Sequence, residues 1–565
     1  MTQPPPTEDR RWPIFASLQA VRPATIGADL GAGLTLAAIA VPEQMATARL
    51  AGAPPQVGLI VFVAASLGFA AFGASRLVSA GADSTIAPIF AGSLVALAAA
   101  GSPQYAETAA ALALMVGLIV VLAGVFRLGW IADLLSQPVT TGFLAGIALH
   151  IVLSQAPAAL GLPAESGDVY HRLAALWADA GKASWITAAI AVGVFAVTLG
   201  AEKLSPRLPG ALIAVGGATL ATAWLGLDRQ GVAVLGALPS ALARPVMPRL
   251  DLEQVLPLVG LAFIVALVVM VQTAATARSF SDDGDPDIDR DYIGVGAANA
   301  LAGLFGGFPV NASPPRTAAV AQAGGLSQAS GLAAALVVLL LAVFGGQLLS
   351  RMPEAALAGV LLFVAQRIFR WKTLAEILRR TPAEFCLALI TTAMIVLLPI
   401  QTGVAIGIFF SLANGVFTIT RARLIRFERV ADTTVWWPAT KSGPKPSDVV
   451  VMGFQAPLSF LNAYDFRRDV RAAIAASAGQ ARLFVLEASS IVEIDFTAAE
   501  ILRDVIAHTR AADVDFAVAR LESVRAQAAF ERFGVTQLLG ADHIFHSVAE
   551  AIAKLAPSKA TSGAG

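Results

Sequence analysis

Charge is scarce in this chain, and cysteine is nearly absent. Only 14% of its 565 residues are Asp, Glu, Lys or Arg, against about 25% in an ordinary soluble domain. The sole cysteine, Cys386, lies in an apolar run, which excludes a disulfide framework and a cysteine-based metal site. Basic and acidic residues balance at 39 each, so the formal net charge is +0 and no bulk field favours a nucleic-acid partner. No nucleotide-type glycine loop, nucleophile–base arrangement or metal cluster is found, so neither an enzyme nor a cofactor is expected. Residues 1–12 are polar and proline-rich and lack the apolar core of a cleaved signal peptide.

Apolar residues fill the space that charge leaves. The chain is 56% hydrophobic, with a mean hydropathy of +0.71. Residues 26–425 read as near-continuous runs of membrane-spanning length, about fourteen spans at roughly 20 residues each. This predicts an α-helical polytopic membrane domain, preceded by a segment over 1–25. Residues 448–556 read instead as a small soluble α/β domain. A linker over 426–447 contains Pro444 and Pro446, and a disordered tail is expected over 557–565. With the N-terminus cytoplasmic, most basic residues fall on the inner side, among them Arg10, Arg11, Arg22, Arg367, Arg370, Lys372, Arg379, Arg380, Arg421 and Arg423. An even number of spans returns the C-terminal domain to the cytoplasm.

Two broken stretches interrupt the apolar runs: Leu77-Val-Ser-Ala-Gly-Ala-Asp-Ser-Thr85 and Phe308-Pro-Val-Asn-Ala-Ser-Pro-Pro-Arg-Thr317. They begin about 231 residues apart (308 − 77), which marks matching places in two inverted repeats, over 26–225 and 255–421. Each leads into a short helix, near 84–100 and 315–325. Opposed half-helix N-termini of this kind point their positive ends at an anion near mid-membrane.

Ionisable residues inside spans are costly and mark function by default. Glu43 follows Pro42 midway along the first span, and a carboxyl there can load and release a proton; the alternative is a protonated acid hydrogen-bonded in the packed interior. Arg316 cannot shed its charge. It contacts the anion directly, or it is a structural counter-charge to Glu43 or Asp83. Asp83 stands where an N-cap for the short third helix belongs. His150 reads as a packing residue. The run Ser281–Asp291 imitates a calcium loop, but Arg290 and Gly296 occupy positions that need Gly and Glu, so it reads as a solvated loop.

In the C-terminal region, strands over 449–454, 482–487 and 515–519 alternate with helices over 463–476, 497–509, 523–533 and 547–555, which predicts a small sheet covered by helices. Asp495 or Thr497 caps the second of these helices.

Asp29-Leu-Gly-Ala-Gly-Leu-Thr35, Val41-Pro-Glu-Gln-Met-Ala46, Leu50-Ala-Gly-Ala-Pro-Pro55 and the stretch from Asn299 through Gly303-Leu-Phe-Gly-Gly-Phe-Pro309 to Arg316-Thr317 resemble the signatures of the sulfate permease (SulP) family of anion transporters. The C-terminal part resembles a STAS domain. The resemblance implies 14 spans as a 7+7 inverted repeat, split into core and gate domains that move like an elevator, and a homodimer in the bacterial inner membrane. It implies substrate contacts at Gln44, Ser84, Thr85, Asn311, Ala312, Ser313 and Arg316, supported by Asp83, Gln272 and Thr276. Sulfate is the first choice of anion, with bicarbonate, chloride and dicarboxylates as alternatives, and exchange as an alternative to symport. A membrane-anchored STAS scaffold or sensor with a cytoplasmic protein partner is a further reading. Family members usually carry Gln where this chain has Glu43, and many carry an acid where it has Gln272. That exchange favours a proton at Glu43 over sodium. Thr497 occupies the place of the phosphorylatable residue of anti-sigma antagonists, although Ala498 replaces the usual Gly.

Overall fold

A computed structural model describes residues 14–18, 25–134, 136–163, 169–205, 209–236, 248, 252–280, 286–431, 433–439, 447–477 and 479–556. The expectations for residues 1–12, Arg22, Ser281–Asp285, Pro444, Pro446 and 557–565 lie outside the described residues. The chain divides into two compact units, Met1–Ser411 and Leu412–Gly565.

The first unit is helical: α1 (Ile26–Leu50), α2 (Pro55–Phe72), α3 (Ala87–Val95), α4 (Pro103–Val125), α5 (Gln137–Leu160), α6 (Val169–Asp179), α7 (Trp185–Leu204), α8 (Gly210–Leu225), α9 (Leu252–Ser279), α10 (Ile288–Leu304), α11 (Pro314–Gln322), α12 (Ala329–Phe344), α13 (Gly346–Ser350), α14 (Glu354–Ile368), α15 (Trp371–Arg380), α16 (Pro382–Leu397) and α17 (Ile400–Thr420), the last running on into the second unit. Prolines in the first turn of α2, α4, α5, α11 and α16 start those helices without wasting a donor. Among the described residues, six helices are long and apolar enough to cross a membrane, and four shorter apolar helices accompany them. Apolar side chains such as Leu118, Trp224, Phe344 and Phe409 stay exposed on the outer surface, as a lipid-facing protein requires.

The helices pack in two groups. In one, α10 packs on α4 and α2, while α12 packs on α1 and α2; in the other, α5 packs on α16 and α14, and α14 and α8 pack on α7. Small residues permit the close approaches. A Cβ on Gly58 of α2 would lie 2.1 Å from the Gln44 carbonyl of α1, and one on Gly68 would lie 2.7 Å from the backbone of Ala298. Within a bilayer, where apolar burial drives little association, such backbone proximity is what holds helices together.

The two broken stretches meet. Strand β1 (Ala80–Gly81) pairs antiparallel with β2 (Asn311–Ala312), in the register Ala80↔Ala312 and Gly81↔Asn311. Ala80 and Asn311, like Gly81 and Ala312, are equivalent at the repeat offset. The pairing therefore exchanges equivalents, as a pseudo-two-fold axis between inverted repeats demands. Each strand leads into a helix of 9 residues, α3 or α11. At 1.5 Å per residue that is about 14 Å, half a bilayer core.

The second unit carries a six-stranded sheet of order β4-β3-β5-β6-β7-β8. Its strands are β3 (Leu424–Arg429), β4 (Trp436–Pro438), β5 (Val449–Phe454), β6 (Leu483–Glu487), β7 (Asp515–Ala519) and β8 (Ile544–Phe545). Strands β5 to β8 are parallel, whereas β3 runs antiparallel to both β5 and β4. Helices α18 (Ala463–Ala475), α19 (Phe496–Ala511), α20 (Val524–Arg532), α21 (Val535–Leu539) and α22 (Val548–Leu555) accompany it. Phe454, Phe466, Phe484, Phe516 and Phe530 are fully buried in its core. The expected linker over 426–447 thus carries two strands, and the sheet begins at Leu424, before the expected 448. Thr497 does not cap α19: Asp495 does, its carboxylate accepting from the Ala498 N–H at 2.8 Å and the Phe460 N–H at 2.7 Å.

Of the described aspartates in the acidic run, Asp287 is exposed, as expected, but Asp289 and Asp291 are tied into the fold rather than solvated. Asp287 caps α10, and Asp289 accepts from the Gly129 N–H at 2.8 Å. Fully buried Asp291 accepts from the Ala74 and Ser75 N–H groups at 2.9 and 2.8 Å.

Candidate functional site

The half-helix starts are held by side-chain amides that act as substitute strands. Gln44 on α1 brackets Ala82, with its Nε2 donating to the Ala82 carbonyl at 2.9 Å and its Oε1 accepting from the Ala82 N–H at 2.8 Å. Asn299 on α10 does the same for Val310, at 2.9 Å in both directions. Isolated two-residue strands leave most backbone groups unpaired, and burial makes each such group expensive. Gln44, nominated as a substrate contact, therefore has both ends of its amide committed to the scaffold. Asn299 was visible only as part of a family signature, and its bracketing role has no local sequence pattern.

Arg316 projects from the first turn of α11 and is fully buried. Its Nη1 donates to Glu43 Oε1 at 2.8 Å and to the Ala82 carbonyl at 2.9 Å. Its Nε and Nη2 have no hydrogen-bond partner. Of the alternatives open for Arg316, the structure displays the counter-charge to Glu43, an ion pair that ties α1 in the first repeat to α11 in the second.

Asp83 stands three residues before Ile86, the residue preceding α3, and caps the turn that leads into the helix. Its carboxylate accepts from the Thr85 N–H at 2.8 Å and from the Thr85 hydroxyl. The main-chain carbonyl of Asp83 accepts from the Ile86 and Ala87 N–H groups. Thr85 is also joined to Gln272 of α9, whose Nε2 donates to Thr85 Oγ1 at 2.8 Å. The Asn311 Nδ2 donates to Gln272 Oε1 at 2.6 Å. A chain of donors therefore runs from Asn311 through Gln272 and Thr85 to Asp83, from one repeat into the other.

A cavity of about 640 Å³ borders this assembly. Glu43, Asp83, Ser84, Thr85 and Gln272 line its wall, together with Pro314 and Pro315 of the α11 start. Both half-helix starts thus border one cavity. Gln44, Thr276, Asn311, Ala312, Ser313 and Arg316 stand outside its lining. Thr276 donates to the Gln272 carbonyl at 2.7 Å. The Ser313 hydroxyl is buried without a partner, while the Ser313 N–H donates to the Ser79 carbonyl at 2.9 Å. Since prolines carry no N–H, the first turn of α11 presents its dipole to the cavity but few donors. Hydroxyl and amide side chains from α9 and the α3 start make up that deficit. Arg278, Arg367 and Arg370, at the ends of α9 and α14, also line the cavity. Sequence reading placed Arg367 and Arg370 only as inner-side charges; their position in the last turn of a span, or just after it, is the signal that they border its mouth. His150 does not line the cavity.

Half-helices led by an antiparallel strand pair, a buried ion pair and a polar-walled cavity together define a polytopic membrane transport protein. The family comparison agrees. Residues 26–391 match the Sulfate permease family and residues 442–551 the STAS domain. The chain is 34% identical over 541 residues to a protein of Mycobacterium tuberculosis named "Probable sulfate transporter", spanning 93% of this chain and 94% of that one. This chain belongs to the Sulfate permease family. Its fold is similar to murine solute carrier 26 member A9, an anion transporter in the inward-facing state, with TM-score 0.86, 20% identity, and 95% and 92% of the two chains covered. It is also similar to the transmembrane domain of a cyanobacterial bicarbonate transporter, with TM-score 0.60, 20% identity, and 70% and 98% covered.

Proposed function

We propose that this protein is a proton-coupled symporter of sulfate or a similar small anion. In this reading it works as a homodimer in a bacterial inner membrane with both termini cytoplasmic, and the α1–α4 and α9–α12 group moves as an elevator against the other helices. The observation that carries the reading is Glu43, which lines the cavity while paired to a fully buried arginine between two half-helix starts. Glu43 and Asp83 together face an arriving anion with negative charge, and Arg316 offsets only one of them. In a medium of low dielectric that repulsion is severe. A proton on Glu43 removes it and releases the Arg316 field toward the cavity, so proton and anion bind cooperatively. Ser84, Thr85 and Gln272 then supply hydrogen bonds, and the α3 and α11 dipoles supply positive potential.

Uptake of labelled sulfate into proteoliposomes, with and without an inward proton gradient, tests this. The gradient accelerates wild type and leaves Glu43→Gln indifferent. Should Glu43→Gln not accumulate, Glu43→Gln/Arg316→Gln, which removes both charges, takes its place. A variant as steeply gradient-driven as wild type sinks the coupling role. Competition by bicarbonate, chloride and dicarboxylates ranks the substrates. A requirement for internal counter-anion would replace symport by exchange, and absence of flux would favour the STAS scaffold.

A further inference from the structure

We propose that α15 is a binding surface for anionic phospholipid headgroups. Its sequence, Trp371-Lys-Thr-Leu-Ala-Glu-Ile-Leu-Arg-Arg380, divides cleanly at 100° per residue. Trp371, Leu374, Ala375, Ile377 and Leu378 share one side, while Lys372, Glu376, Arg379 and Arg380 share the other. No residue of α15 is buried. Leu374 and Ile377 are half-buried, on a helix that packs against α16 and α5. Trp371 and Leu378 remain 68% and 48% exposed.

The helix cannot leave the bilayer surface. Phe369 and Arg370 alone join it to α14, and Thr381 alone joins it to α16, whose Leu389 and Ile390 are themselves exposed. A helix tethered between two membrane segments, with a tryptophan in its exposed apolar stripe, belongs at headgroup depth. Its charge selects the lipid. Arg370, Lys372, Arg379 and Arg380 stand against Glu376, and Arg380 already pairs with Glu376 at 2.9 Å. Among the described residues, Lys372 and Arg379 make no ion pair. On the helical wheel they stand together along one border of the apolar stripe, beside Ala375, so their stems follow that border and their heads reach the phosphate layer. By contrast, α6 also exposes Tyr170, Leu173 and Trp177, but it carries a single arginine, Arg172, and its acid, Asp179, pairs with Lys182 at 2.7 Å.

The test uses the delipidated full chain in neutral detergent, titrated with phosphatidylglycerol, phosphatidylcholine or inorganic phosphate while its melting temperature is followed. Phosphatidylglycerol raises the melting temperature and the other two do not. Lys372→Gln/Arg379→Gln loses at least half of that rise, whereas Lys372→Arg/Arg379→Lys keeps it. If the neutral variant does not fold, Glu376→Lys, which adds a cation and frees Arg380, enlarges the rise. An unchanged phosphatidylglycerol effect in either charge-altering variant overturns the proposal. So does an equal response to phosphatidylcholine or to phosphate.

Discussion

Arg316 and Glu43 differ in one respect that decides how each tolerates loss of the other: a carboxyl can take up a proton, whereas a guanidinium keeps its charge. Glu43→Gln therefore strands a fully buried cation whose Nε and Nη2 already lack partners. Removing one member of a buried pair costs about 3–5 kcal/mol, while replacing both is often close to neutral. The melting temperature in detergent should fall most for Glu43→Gln and less for Arg316→Gln, with Glu43→Gln/Arg316→Gln recovering much of the loss. A double variant as unstable as the sum of the singles would mean that the pair is not the unit. Both ionisable residues were legible in the sequence, because charges in apolar runs are conspicuous. Their pairing was one of several options there, since it joins residues 273 positions apart.

At the scale of elements, the half-helices depend on brackets supplied by neighbouring helices. Asn299→Ala leaves the Val310 N–H and carbonyl buried without their side-chain partner, at about 1–3 kcal/mol per unsatisfied group. The expected result is a lowered melting temperature together with lost uptake, although Asn299 does not line the cavity. A second tie joins the two helix groups: Arg49 near the end of α1 donates to Glu354 at the start of α14, at 2.6 Å, with both side chains partly exposed. Exposed pairs contribute about 0–1 kcal/mol, so Glu354→Gln should change the transport rate by no more than about fivefold, and Arg49→Glu/Glu354→Arg should restore it. Failure of the swap to restore the rate would remove the pair from the transport cycle. Gly81 and the twin prolines 314 and 315 made the interruptions readable beforehand. The brackets and the tie were not readable, because polar residues at span ends look alike until the helices are packed.

Over the whole molecule, the membrane unit was more legible than the soluble one, and the difference is physical. Apolar runs announce spans by length alone. Parallel strands β5, β6 and β7 are near-continuous apolar runs and were equally plain. Strand β3, Leu424-Ile-Arg-Phe-Glu-Arg429, is half polar and follows a span directly, so it passes for a juxtamembrane linker. Yet it covers one edge of β5, in the register Leu424↔Phe454, Ile425↔Gly453 and Arg426↔Met452, and the Phe427 ring lies within 2.4 Å of where a Gly453 Cβ would stand. A soluble fragment starting at 448 would expose that edge and the face of Gly453, and an unpaired edge of a hydrophobic strand recruits other chains. A fragment starting at 422 retains both β3 and β4, the latter lying outermost with Trp436 and Trp437. Size-exclusion chromatography and circular dichroism distinguish the two: the 422–556 fragment should elute as a folded species, and the 448–556 fragment should aggregate or melt lower. Equal behaviour of both would show that β3 is an accessory of the membrane segment rather than part of the domain's sheet.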